Sequence, residues 1–130
     1  MVDNKFSTRR HLIHPMLINE LAKRTGVTIH TIRFYERYGL IRGHRDPSVT
    51  SNNYFHYGED SVARLELILD AKSAGFSLQE IGEIIDAWYE DTYTKSEKCQ
   101  ILERKLNALD EKIKELRRMK KVIKDCLDDL

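Results

Sequence analysis

Ten positions near the end of the chain step by alternating threes and fours: Cys99, Leu102, Leu106, Leu109, Ile113, Leu116, Lys120, Ile123, Leu127 and Leu130. A heptad seam held over more than four heptads admits one element, a long helix with a single apolar stripe, running from about Ser96 to the end. At 1.5 Å per residue it extends on the order of 50 Å. A rod of that length outruns a small domain, so its seam needs a partner helix. A second copy of the chain is the economical choice; folding back over its own domain is the competing arrangement. Lys120 is tolerable in the seam because its stem buries while its amine reaches water.

The rest of the chain sets bounds. With 130 residues, 41% apolar and 33% charged, it is too apolar for disorder and too charged for a membrane protein. No apolar run is long enough to span a bilayer. Residues 1–15 carry Lys5, Arg9 and Arg10 without an apolar stretch behind them, which reads as a flexible arm rather than a secretory signal. Cys99 and Cys126 are the two cysteines. They cannot form a disulfide framework, and a cytoplasmic location is the default. The net charge of +1 hides a split: residues 1–57 hold nine Lys/Arg against four Asp/Glu, and the remainder is acidic on balance. A compact basic half suits a polyanionic partner.

Leu17–Arg24 carries Leu17, Ile18, Leu21 and Ala22 at helical spacing, and Gly26 supplies a turn. Thr28 is a candidate N-cap for a second helix, Ile29–Tyr38, with Gly39 at its end. Two short helices joined in this way form a helix-turn-helix. Turn chemistry follows over Ile41–Asn53, and the aromatic Tyr54–Tyr57 suits a strand, so loop and strand together predict a wing. Glu59–Ala74 is amphipathic, with Val62, Leu65, Leu69 and Ala74 among its apolar positions; Ser77 to Glu80 is a capping box opening a helix over Leu78–Tyr89; Asp91–Lys95 is a polar break. The expected architecture is mainly α: a flexible arm (1–15), a winged helix-turn-helix DNA-binding domain (16–90) and a long antiparallel coiled-coil dimerisation helix (96–130).

The second helix is the most informative stretch. Ile29, Ile32 and Tyr35 fall on one side and can pack, while Thr28, His30, Thr31 and Arg33 can face a groove. A helix fits the DNA major groove, with polar residues near its start placed at base edges. Arg33 and Arg37 supply charge for phosphates, contacts that position rather than read.

Leu17–Ile41, above all Ile18–Val27 and Thr31–Ile41, closely resembles the start of the MerR (mercury-resistance regulator) family of bacterial transcription factors. Asn53, Tyr54 and Tyr57 are similar to its wing, Gly75–Ile81 to its next landmark, and the terminal heptads to its dimerisation helix. The resemblance spans about Met16–Leu130 and implies a short form without a C-terminal effector domain. It implies a homodimer joined by an antiparallel coil, bound to double-stranded promoter DNA that it bends and untwists for RNA polymerase in response to a signal. Arg33 and Tyr35 would touch the DNA backbone, and Tyr54 would act from the wing. Three departures stand out: Phe34 where Tyr is common, Phe55 where Arg usually follows Tyr, and Gly58 in place of a Ser or Thr cap. Arg42 or Arg45 would restore the lost wing charge. The family's metal-sensing positions fall near Lys95 and Asp128–Leu130, which offer no cysteine, so no metal site of the usual kind and no cofactor are expected.

In an antiparallel dimer, residues on the same level have a constant index sum. Pairing Leu109 with Leu116 puts that sum near 225, which brings Cys99 beside Cys126 of the other copy. Burial as small apolar groups, an intersubunit disulfide and a soft two-coordinate metal ion are three uses for such a pair. Trp88, Tyr89 and Tyr93, just before the rod, serve either packing or a small effector pocket. Nothing in the Asp, Glu and His spacing forms a catalytic or metal motif, so an enzyme is not expected. A coiled-coil adaptor that does not bind DNA is the alternative function.

Overall fold

The computed structural model describes residues 15–45, 55–90 and 92–130. The arm and Tyr54 therefore lie outside the described residues, apart from Pro15. The chain forms two compact units, Met1–Asp91 and Thr92–Leu130, called head and tail below. No described helix is long and apolar enough to cross a membrane.

The head is built from α1 (Ile18–Thr25), α2 (Ile29–Arg37), β1 (His44–Arg45), β2 (Phe55–His56), α3 (Glu59–Ser73) and α4 (Leu78–Tyr89). The first helix starts at Ile18 rather than Leu17. Leu17 is extended, and its N–H donates to Glu20 Oε1 at 3.2 Å, so Glu20 satisfies a donor that has no intrahelical acceptor. In α2 the Thr28 side chain accepts from Thr31 N at 3.1 Å, as an N-cap should. The helix stops at Arg37 because Gly39 turns left-handed (φ 75°). Gly39 N–H then bonds Glu36 O and Leu40 N–H bonds Tyr35 O, a Schellman closure that a Cβ would strain.

The helix α3 packs against both α1 and α4, and α1 also packs against α2. Its buried residues are Ser61, Val62, Ala63, Leu65, Ile68 and Ala71. Ile68 and Ala71 thus replace Leu69 and Ala74 in the expected stripe; Leu69 is half-buried, and Ala74 is the exposed C-cap. Gly58 caps α3 without a side-chain bond. Glu59 and Asp60 stand in the first turn instead, where acidic charge favours the helix dipole. Leu21, Ile32, Leu65 and Ile68 are fully enclosed, each stabilising the head by about 1.5–3 kcal/mol. In α4 the reciprocal box forms as predicted, with Glu80 N bonded to Ser77 Oγ and Ser77 N to Glu80 Oε1.

The wing is a two-stranded antiparallel pair in which His44 faces His56 and Arg45 faces Phe55. Tyr57 continues past it and exchanges backbone bonds with Met16, both at 2.8 Å. Gly43 permits the close approach here: a Cβ on it would sit 2.9 Å from Phe55 Cβ and 3.0 Å from the Tyr57 ring.

The tail is one helix, α5 (Lys95–Asp128). It begins a residue before Ser96 because Thr94 and Glu97 form a second reciprocal box, with bonds of 3.1 and 2.9 Å. Every residue from Leu106 to Leu130 is exposed.

Candidate nucleic-acid interface

The exposed face of α2 starts at its cap. Thr28 Oγ1 accepts from Thr31 N and also donates to Thr31 Oγ1 at 2.9 Å, which fixes both hydroxyls at the open end of the helix. His30, Arg33 and Arg37 follow at steps of three and four and are all exposed. They share one edge by helical geometry. Ile29 is an exception to expectation: it is 37% exposed, because the first turn of α2 projects beyond the core. Tyr35 is only 3% exposed, one turn after Ile32 on the packed side, so its ring serves the core of the head. Phe34 stacks at its edge, with ring centroids 5.7 Å from Tyr35 and 4.9 Å from Tyr38.

Arg33 and Arg37 line a cleft of about 560 Å³ with Glu36, Leu17, Ile18, Asn19, Phe55 and Tyr57. One wall is thus α2, another the first turn of α1, and the third the wing. The buried Tyr57 hydroxyl donates to Glu36 Oε1 at 2.8 Å. Burial foremost, then this bond and the Glu36 charge, hold the phenol well above its ordinary pKa, against a smaller opposing pull from Arg33. With Glu36 tied back to Tyr57, the two arginines carry the positive edge of the cleft.

In the wing, the Arg45 guanidinium lies 5.3 Å from the centroid of the Phe55 ring, within cation–π range. Arg45 is exposed. The strand partner of Phe55 thereby returns a positive charge to the place where the wing arginine is missing. Arg42 lies elsewhere. It lines a separate cleft of about 450 Å³ whose residues include His44, Asp60, Arg64, Asp86, Tyr89 and Glu90. There Arg64 donates to Leu40 O at 3.2 Å and lies 3.9 Å over the Tyr89 ring. Burial raises the Tyr89 pKa to about 12, with Arg64 lowering it and Asp60 and Glu66 raising it. Tyr89 therefore packs as a brace between α3, α4 and the segment after α2. Cys99 and Cys126 are both exposed on α5.

Three features escaped the sequence reading. The Glu36–Tyr57 bond joins residues 21 apart, and no local pattern signals it. The Arg64 brace gives none either. The Thr94–Glu97 box was visible in Thr-Lys-Ser-Glu, the same spacing as Ser77–Glu80.

Residues 16–88 match the family model for the MerR HTH family regulatory protein, and residues 62–126 match the model described as MerR, DNA binding. A mercuric resistance operon regulatory protein of Shigella flexneri is 36% identical over 112 residues, covering 86% of this chain and 74% of that protein. The HTH-type transcriptional regulator HmrR of Rhizobium leguminosarum bv. viciae is 30% identical over 108 residues, covering 83% and 81%. Among solved structures, a transcription regulator from Ralstonia metallidurans CH34 in complex with lead(II) aligns with a TM-score of 0.72 at 26% identity, over 85% of this chain and 84% of that one. A MerR family regulator lacking the sensor domain, bound to promoter DNA, shares the fold with a TM-score of 0.59 at 23% identity, over 80% and 76%.

Proposed function

Since the chain belongs to the MerR family and is a DNA-binding transcription regulator, we propose that two copies joined through α5 present their heads to one promoter duplex and distort it in response to a signal. The observation that carries this reading is the cleft flanked by Arg33 and Arg37, with its acid tied back and the wing on its far side. A phosphate strand entering it meets both guanidinium groups. Thr28, His30 and Thr31, at the open end of α2, then lie toward base edges in the major groove. Arg45, stacked on Phe55, reaches a neighbouring phosphate from the wing.

Contacts of this kind position the head without reading sequence. Specificity comes from the base edges and from the cost of bending and untwisting the duplex, roughly 1–6 kcal/mol for a short site. Two heads joined as a pair bind a straight and a distorted duplex with different affinity. A signal that favours one shape of the dimer shifts the promoter between the two. RNA polymerase is the partner that the distorted promoter would serve.

Binding to a promoter duplex over a salt series tests the DNA interface. A phosphate-contacting dimer loses affinity steeply and linearly in log salt. Absence of any retardation at low salt would favour the adaptor reading instead. Sequencing the DNA retained by the protein shows whether the bound promoters have over-long spacers.

A further inference from the structure

We infer that the tail carries a charge code that selects a second copy of this chain, antiparallel and in a single register. The inference rests on the dimer reading above. With Cys99 at position a of the seam, Glu103, Asp110, Arg117 and Lys124 occupy four successive e positions. The acids lie in the first half of the rod and the bases in the second. Reversing one helix against the other puts each a on the level of a d, and sets e beside e and g beside g.

Let the two seams overlap along their whole length. Cys99 is then level with Leu130, Leu102 with Leu127, Leu106 with Ile123, Leu109 with Lys120 and Ile113 with Leu116, so every level pair sums to 229. In this register Glu103 flanks Lys124 of the other copy and Asp110 flanks Arg117, and the two-fold axis repeats both pairs. The g positions set Lys105 beside Cys126 and Lys112 beside Met119, with no like charges opposed. All four e residues are exposed. Among the described residues, none of them has an ion-pair partner in its own chain. By contrast, two pairs that include no e residue close along the helix, Lys114–Glu111 at 3.5 Å and Lys121–Asp125 at 3.1 Å.

The alternatives oppose like charges. Slipping the rods by one heptad sets Asp110 against Asp110 in one direction and Arg117 against Arg117 in the other. A parallel pair stacks Lys120 on Lys120 within the seam and places Lys112 beside Arg117. The full-overlap register also separates the thiols. Cys99 and Cys126 come to lie four residues off level, about 6 Å along the axis, and on different rows of the rod, rather than side by side as a level sum of 225 would place them.

The test uses the full chain in two charge variants, E103K/D110K and R117E/K124E, with helix content checked by circular dichroism. Sedimentation equilibrium should show each variant self-associating at least about tenfold more weakly than the parent, because attractive flanking pairs become repulsive. An equimolar mixture should restore tight dimers of mixed composition. The quadruple variant E103K/D110K/R117E/K124E should pair with itself as the parent does, yet not with the parent. Parent-like self-association of both double variants, or no preference for mixed dimers, overturns the code while leaving the dimer intact. Tighter self-association of R117E/K124E indicates parallel helices and overturns it as well. A parent chain that stays monomeric removes the dimer reading on which the code stands. Efficient Cys99–Cys126 cross-linking by a mild disulfide oxidant such as diamide contradicts the register.

Discussion

Head and tail spend the same apolar residues in opposite ways. In the head, Leu65 and Ile68 are fully enclosed within one chain. In the tail, Leu116, Ile123 and Leu127 are 57–63% exposed although they repeat as regularly as any core. The contrast separates two sources of stability. The head is held by contacts that a single chain completes, so its unfolding is independent of protein concentration. In the proposed dimer the seam of the tail is covered by another copy, so its pairing is a binding constant. Substitutions in one unit should therefore be read out by measurements that leave the other unmoved.

The largest effect is expected in the head. Leu65→Ala should lower its unfolding free energy by about 2–5 kcal/mol, through lost burial and a residual cavity, and denaturant melts at two protein concentrations should report the same loss. In the tail, Leu116→Ala should weaken dimerisation roughly ten- to a hundredfold, visible by sedimentation, with the head's melt unchanged. A head that melts early in this variant would erase the distinction between the units.

Next come the residues that join the head to DNA. Arg33→Ala should cost about 1–3 kcal/mol of binding per dimer and flatten the salt dependence by about two phosphates, one per head, leaving dimerisation untouched. An unchanged salt slope would mean that the cleft does not hold the backbone.

Tyr57→Phe deletes the bond to Glu36 and should cost the head about 1 kcal/mol. It also has a pH signature. The folded-state pKa of Tyr57 is raised above its ordinary value of 10.0, so above that pH the unfolded chain releases a proton that the folded head retains. Its contribution is complete below pH 10.0 and is lost as pH rises toward the folded value. Stability measured from pH 9 to 11 should fall less steeply in Tyr57→Phe than in the parent. The smallest effect belongs to the Arg24–Glu59 pair linking α1 to α3. It is bidentate, with one contact at 2.7 Å, but its side chains are 49% and 42% exposed. Solvent screening therefore limits Arg24→Ala to about 0.5 kcal/mol.

The two units were also legible to different degrees. The tail is legible because one period decides everything about a rod, whereas its start at Lys95 is set by a single local cap, Thr94. The head was readable through its punctuation: Thr28, Gly39, Ser77 and Gly75 each mark a boundary by local chemistry. Its side-chain roles were less so. Tyr35 satisfies the helical period of the core and also a familial position for DNA contact, and only burial shows that its ring serves the core. Ile29 also fits the apolar side, but it lies in the first turn, where the core has not yet begun. The Glu36–Tyr57 bond and the Arg45–Phe55 stack depend on strand register and on how α2 meets the wing, both of which are products of tertiary packing.

The most direct test of the whole account is the mass of the protein–promoter complex by sedimentation equilibrium, run on the full chain above and below the dimerisation constant. The account predicts two subunits per duplex, held together at low salt, with Leu116→Ala reducing occupancy at a fixed subunit concentration. A complex of one subunit per duplex, bound as tightly with Leu116→Ala as without it, would contradict it.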